Sequence, residues 1–412
     1  MVKLRTLITV LSIASSCISF VANTLFLKTF GATTEVDLIL RCAAIPLGIS
    51  GVLSGFFVYA LPVTFCQIPN SEQNIIIIHL FKKLTQIIAV AAVVLLFLYP
   101  TSCFIAGLLF VLYLFLSMVY IVLSVGNASA QSQGKYLTSS VISASNSLGL
   151  LVGVMLAKFS GKPILIVSGQ ILGALFGATV LTKSLKIKYT TDSISSSTKA
   201  DLKKLRKSAH LIIIAACGFS AYQTVDSVMS LLLPDGALVY MSYGQKLIAS
   251  ANTVLGFGIL TIGARKARDR FSIGGETILL KSATHESLII LIFGLCLWVG
   301  FSVFGYRVVK IMFLSDRFDQ NHVNVLYKCS RWMFLALGPV TALSHHYQVY
   351  YTLGNYKKPA VLGVVVILSY LTMIFLNIKE YQIIAPAYAF AVSWWITILI
   401  SFVFLNWRRL SK

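Results

Sequence analysis

Residues 183–208 read KSLKIKYTTDSISSSTKADLKKLRKS, the longest polar stretch of the chain, and the sequence on either side of it is dominated by apolar runs. Serine-rich composition with clustered Lys and Arg predicts a linker on the inner face of a membrane. It reads either as a short amphipathic helix near Leu202 and Leu205, lying at anionic headgroups, or as a plain topology signal. Before the linker, runs long enough to cross a bilayer occupy about 7–28, 38–66, 80–100, 103–126, 137–157 and 163–182. After it they occupy about 209–233, 240–264, 284–306, 330–354, 360–378 and 382–406. The linker thus divides about twelve predicted transmembrane helices into a six-helix lobe over 1–182 and a second over 209–412.

Composition agrees with an all-α integral membrane protein. Of 412 residues 57% are hydrophobic and 11% charged, against about 25% charged in an ordinary soluble domain. The net charge of +21 would suggest nucleic acid as a partner in a soluble protein, but here the cations sit between apolar runs and read as topology. Lys3, Arg5, Lys82, Lys83, Lys135, the 183–207 cluster, Arg265, Lys266, Arg268, Arg270, Lys357, Lys358, Arg408 and Arg409 fall on one side if both termini are inside. Fewer fall on the other, where the connection 307–329 is the most basic, so the rule predicts cytoplasmic termini. Lys3 and Arg5 precede a run long enough to span, and it is read as an uncleaved first helix. The seven cysteines are scattered without metal-ligand spacing and read as apolar packing.

Two equal halves prompt a search for a repeat. A shift of 205 positions lays Gly31-Ala32 on Gly236-Ala237 and Arg41 on Lys246. Halves that both begin inside would be related by an axis along the membrane normal, as in parallel-repeat transporters, with a cavity between pseudo-symmetric lobes.

Ionisable groups within spans are costly and mark function more often than not. Arg41 and Lys246 stand early in the second span of each half, where snorkelling competes with a role in binding an anion such as phosphate. Asp226, in AYQTVDSVMS, either couples transport to a proton or Na+ or pairs with a cation such as Lys246. His345 and His346 point about 100° apart on a helix, so they cannot share a metal ion, and they read as packing. Pro46, Gly338 and Pro339 are candidate hinges for alternating access, with close helix packing as the competing reading. Walker A, Rossmann, HExxH and GxSxG patterns are absent, so no enzyme activity, cofactor or metal is expected beyond a coupling ion gradient or the membrane potential.

The segment from Arg307 to Pro359, with Phe318-Asp319, Leu337-Gly338, Tyr350-Tyr351, Gly354, Lys358 and Pro359 in order, resembles the MurJ/MviN lipid II flippases of the multidrug/oligosaccharidyl-lipid/polysaccharide (MOP) exporter superfamily. LLPDGALVYMSYGQKLIASANTVLGFGILTI is similar to that family's eighth span, and FGATTEVDLIL to the start of its pattern. The resemblance implies a MOP/MATE-like fold and puts Lys246 in the place of a substrate-binding basic residue and Asp37 on an acidic position. With Arg41 and Gln245 these make up the expected phosphate and saccharide contacts. SCISFVAN lacks the arginines of the family's first span, Ser50-Gly51 stands where its second carries Arg, and its two last spans have no counterpart here. The implied activity is flipping of a polyprenyl-diphosphate-linked saccharide, a surface-polysaccharide or peptidoglycan precursor, across a bacterial inner membrane. Membrane lipids are the expected surroundings, and glycosyltransferases or a polymerase the expected partners. The alternatives are an ion-coupled drug or metabolite antiporter of the same superfamily, a scaffold in polysaccharide assembly, and a transferase using His345 or His346 as general base.

Overall fold

Within a bilayer no water is at hand to satisfy backbone amides and carbonyls, so a chain this apolar must close those bonds inside helices. The computed structural model describes residues 2–59, 104–186, 196–229 and 236–410, with 61, 65, 68, 69, 72–78, 86, 233 and 234. Over these residues the longer helices are α1 (Val2–Phe30), α2 (Thr34–Tyr59), α3 (Phe104–Ser132), α4 (Tyr136–Ser160) and α5 (Ile166–Leu185). They continue as α6 (Ser196–Met229), α7 (Ala237–Phe313), α8 (Gln320–Leu335), α9 (Leu337–Thr352), α10 (Lys357–Tyr381) and α11 (Ala385–Leu410). The span expected over 80–100 lies outside the described residues apart from Gln86, as do Pro62, Lys82, Lys83 and the stretch 187–195.

Two helices run further than the apolar pattern. α6 begins at Ser196, so the Leu202–Leu205 region of the expected linker is the first part of the helix that becomes the seventh span, not a separate surface helix. Lys, Ala, Leu and Arg are all good helix formers, and propensity carries the helix on where hydropathy stops. Likewise α7 passes through the basic run at 265–270 and breaks only at Gly274 (φ −138°, ψ 15°) and Gly275 (φ 65°, ψ −162°), giving two limbs. Gly275 takes a positive φ that other residues rarely adopt, so the chain reverses there. Conversely, the span expected over 330–354 is two helices, α8 and α9, interrupted at Ala336.

The chain forms two compact units. The first comprises Met1–Asn23 and Leu38–His210, the second Thr24–Asp37 and Leu211–Lys412. In the first, α4 and α5 approach at backbone distance: a Cβ on Gly169 would lie 2.3 Å from the Gly153 Cα, and one on Gly149 would lie 2.6 Å from the Gly173 Cα. Small residues permit such contact, which supplies dispersion energy where lipid offers no hydrophobic drive. Buried Gln73 also organises this unit, donating to the carbonyls of Phe65 (2.8 Å) and Ile68 (2.9 Å) and accepting from Ser129 Oγ (2.8 Å) on α3.

In the second unit α9 is the core, with its residues from Leu337 to Tyr351 buried apart from Val340. It packs on α7 and α11. A Cβ on Gly294 of α7 would stand 2.5 Å from the Gly338 Cα, so this pair fixes the crossing. Thr24–Asp37 joins the unit through Lys28, whose carbonyl accepts from Ser315 Oγ at 3.4 Å, and through Gly31, which lies against the Arg317 backbone.

Segments in both units are long and apolar enough to cross a membrane, among them Ile13–Phe30, Ala106–Ser132, Tyr136–Ser160 and Pro163–Leu185. Exposed Phe159, Phe176, Ile311 and Leu376 would be untenable in water at this density and suit lipid. The protein is a multi-pass membrane protein.

Candidate functional site

Polar side chains converge in the second unit from three helices. α6 supplies Asp226, α7 supplies Gln245, and α10 supplies Tyr370. Asp226 is 2% exposed. Its Oδ2 accepts from Gln245 Nε2 at 2.6 Å and its Oδ1 from the Tyr370 hydroxyl. A carboxylate at depth is tolerable when hydrogen bonds replace its water. Of the two sequence readings, the ion pair with Lys246 is not formed among the described residues: neutral donors hold both carboxylate oxygens. Such a group can take up a proton or a small cation.

Lys246 follows Gln245 on α7 and is half-buried. Its Nζ lies 4.3 Å from the Tyr243 ring centroid, a cation–π contact. No carboxylate stands within ion-pair distance of it among the described residues. An ammonium has three donors and the ring engages one direction, so Lys246 retains capacity for an anion. Seven residues after Gln245, on the same helix face, Asn252 Oδ1 accepts from Thr341 Oγ1 of α9 at 2.5 Å.

Arg41 stands half-buried on α2 in the first unit. Asp37, one turn earlier, is buried, and its Oδ2 accepts from the Gly236 amide at 2.9 Å. Gly236 is the N-cap position of α7 and has φ 85°. Asp37 therefore caps the start of α7, a favourable place for a carboxylate because unpaired amides and the helix dipole meet there. Gly31 and Gly236, aligned by the 205-residue shift, share this left-handed conformation, with φ 70° and 85°.

The candidate hinges differ. α2 runs unbroken through Pro46, while Gly338 and Pro339 open α9 just after the interruption at Ala336. Proline is accommodated in a first turn, where its missing N–H has no intrahelical partner to lose. The two histidines face different neighbours: His346 Nδ1 lies 2.8 Å from Ser401 Oγ, and His345 Nε2 lies 3.1 Å from Glu286 Oε2. Sequence reasoning missed Tyr370, Asn252, Thr341 and Glu286. A tyrosine or threonine in an apolar span carries no pattern of its own, but Glu286, an acid at the edge of a span, was a signal that could have been followed.

No protein-family model and no curated protein sequence matches the chain. Solved structures do. The fold is similar to that of the lipid II flippase MurJ in an inward closed conformation (TM-score 0.72, 17% identity, covering 97% of this chain and 87% of that one). It is similar to a MATE protein in complex with MaL6 (TM-score 0.73, 12% identity, 97% and 95%). It also resembles a MOP superfamily transporter from Pyrococcus furiosus described as having a binding pocket of reverse polarity (TM-score 0.71, 11% identity, 98% and 94%). The chain has the MOP-superfamily fold, over nearly its whole length.

Proposed function

We propose that this chain is a flippase that moves a polyprenyl-diphosphate-linked saccharide from the inner to the outer leaflet of a bacterial inner membrane by alternating access, with both termini cytoplasmic. The observation that carries the reading is Lys246, an ammonium within an apolar unit whose contact is an aromatic ring rather than an acid. A diphosphate stripped of water needs charge-assisted hydrogen bonds, which such a group supplies. Arg41, in the matching position of the other half, is the second cation, and Gln245 and Asp37 are polar supports beside them. Alternating access requires the substrate to bind the two states differently. Membrane lipids and enzymes that build or polymerise the glycan are the accompanying partners, and the glycan itself stays open between a surface-polysaccharide and a peptidoglycan precursor.

The test is transport of a fluorescent lipid-linked oligosaccharide in proteoliposomes. Lys246→Ala should slow flipping about tenfold or more, since a hydrogen bond to a charged group carries roughly 1.5–3 kcal/mol. Lys246→Arg should recover part of it. Unimpaired flipping by both Lys246→Ala and Arg41→Ala would sink the assignment. Asp226 favours a second reading, an ion-coupled antiporter of cationic compounds. In that case Asp226→Asn would abolish drug efflux while leaving lipid flipping undetectable in every variant.

A further inference from the structure

A stripe of neutral polar side chains in the first unit takes no part in the sites described above. Tyr113, Ser117, Tyr120, Ser124, Asn127 and Gln131 recur at alternating steps of four and three along α3. That spacing sets them on one face of the helix over about 27 Å at 1.5 Å per residue, nearly the depth of a bilayer's hydrocarbon core. The face points away from lipid. Leu108 and Phe115 are exposed, and Phe115 stands two residues, about 200° of rotation, from both Tyr113 and Ser117. Tyr113 and Ser117 are buried, and the other four are half-buried. Ser124 donates to the Tyr120 carbonyl at 2.8 Å and meets Ser54 Oγ of α2 at 2.7 Å. Gln131 Nε2 donates to Ser139 Oγ of α4 at 3.5 Å.

A stripe that served only to pack helices would be satisfied within the protein, and this one is not. A serine in a helix can return its hydroxyl to the carbonyl four residues back, as Ser124 does. Ser117 does not: it is 4% exposed, and its Oγ has no hydrogen-bond partner among the described residues. Asn127 Oδ1 is likewise buried without a partner. Each such atom costs free energy until something bonds it, so two on one stripe mark where a ligand completes the set.

Donors and acceptors decide the kind of ligand. Hydroxyls and amides both donate and accept, whereas a carboxylate only accepts and an ammonium only donates. Sugar hydroxyls also do both. Tyr113 and Tyr120 add ring faces on which the C–H face of a pyranose can pack. No Asp, Glu, Lys, Arg or His occurs in residues 42–59, 104–132 or 136–157, so a charged sugar on this face would stand unpaired away from water, at high cost. Arg41 is placed beyond the Tyr113 end of the stripe, since its neighbour Cys42 donates to the Ala106 carbonyl at 3.7 Å.

We infer that this face of α3 binds the hydroxyls of the carried saccharide and that the saccharide is uncharged, resting on the flippase reading for the nature of the cargo. Ser117 and Asn127 each contribute one hydrogen bond to it, and the tyrosines contribute contact area.

Saturation-transfer difference nuclear magnetic resonance of the full chain in lipid nanodiscs, with lipid-free maltotriose, chitotriose or trigalacturonate, tests this without requiring transport. At least one of the two neutral sugars should bind, and trigalacturonate should bind at least tenfold more weakly. Ser117→Ala and Asn127→Leu should each weaken the neutral sugar about fivefold, the usual worth of one hydrogen bond. Phe115→Leu, on the lipid side, should leave it unchanged, and Asn127→Lys should strengthen binding of trigalacturonate. Equal binding of neutral and charged sugars, no binding of either neutral sugar, or parental affinity in both Ser117→Ala and Asn127→Leu overturns the proposal. Sugar binding of the expected kind by a chain that flips no lipid-linked oligosaccharide would leave this site standing and refute the flippase reading alone.

Discussion

The Asp226 carboxylate satisfies two donors from two other helices, so its removal is felt on both. Asp226→Ala would leave the buried Tyr370 hydroxyl and the half-buried Gln245 amide without their acceptor, a loss of about 2–4 kcal/mol at the usual cost of an unsatisfied group. A thermal-unfolding midpoint well below that of the parent protein in detergent is the expected result. Asp226→Asn keeps one carbonyl oxygen and should cost about half as much. An unchanged midpoint in Asp226→Ala would mean that the three side chains are not joined. Outside the membrane, Asp319 caps α8: the His322 amide, donating at 2.9 Å, and then its ring, at 2.6 Å, hold the carboxyl below the usual carboxylate range. A depressed acid of this kind stabilises the fold above the ordinary carboxylate range and loses that contribution as pH falls through its lowered value. Amide exchange at His322 should therefore quicken on acidification relative to Asp319→Asn, in which the difference disappears.

Helix pairs are set by glycines at a few crossings. Gly169→Ala would drive a methyl to 2.3 Å from the Gly153 backbone, an overpacking worth roughly 1–3 kcal/mol. The matched control is Gly107→Ala, where a Cβ meets nothing within 4 Å and helix propensity should add about 0.5–1 kcal/mol of stability. Opposite shifts in unfolding midpoint are expected, and equal ones would mean that α4 and α5 do not touch this closely. Among the described residues most of the spans were legible, because apolar length is the criterion that marks them. What escaped was where helices continue: residues 196–208 and 265–273 are polar, and hydropathy is blind to a helix that leaves the bilayer without stopping. The break at Gly274-Gly275 was written in the sequence as a glycine pair, yet the basic run nearby drew the reading to itself. The polar site was half legible. Asp226 and Lys246 announce themselves as charges in apolar runs, whereas Tyr370 becomes a partner only when α10 is laid beside α6.

At the scale of the whole molecule the two units do not divide at the linker alone. Cutting the chain within 187–195 should give fragments that complement each other when made together. The C-terminal fragment by itself would lack Thr24–Asp37, and with it the Asp37 cap on α7. Co-expression should restore a folded, monodisperse protein, while the C-terminal fragment made alone should be degraded or aggregate. Recovery of that fragment as a stable species would show that residues 24–37 are dispensable to it. Apolar length marked the spans but could not foresee this exchange, since Asp37 and Gly236 stand 199 residues apart and only their packing joins them.

That separation also sets a schedule. At about 5–20 residues per second of synthesis, Asp37 exists for roughly 10–40 seconds before the Gly236 amide it binds has been made. The first hairpin is therefore made with a carboxylate whose helix-cap partner comes later, and that carboxylate gains its bond only once the Gly236 amide has been synthesised.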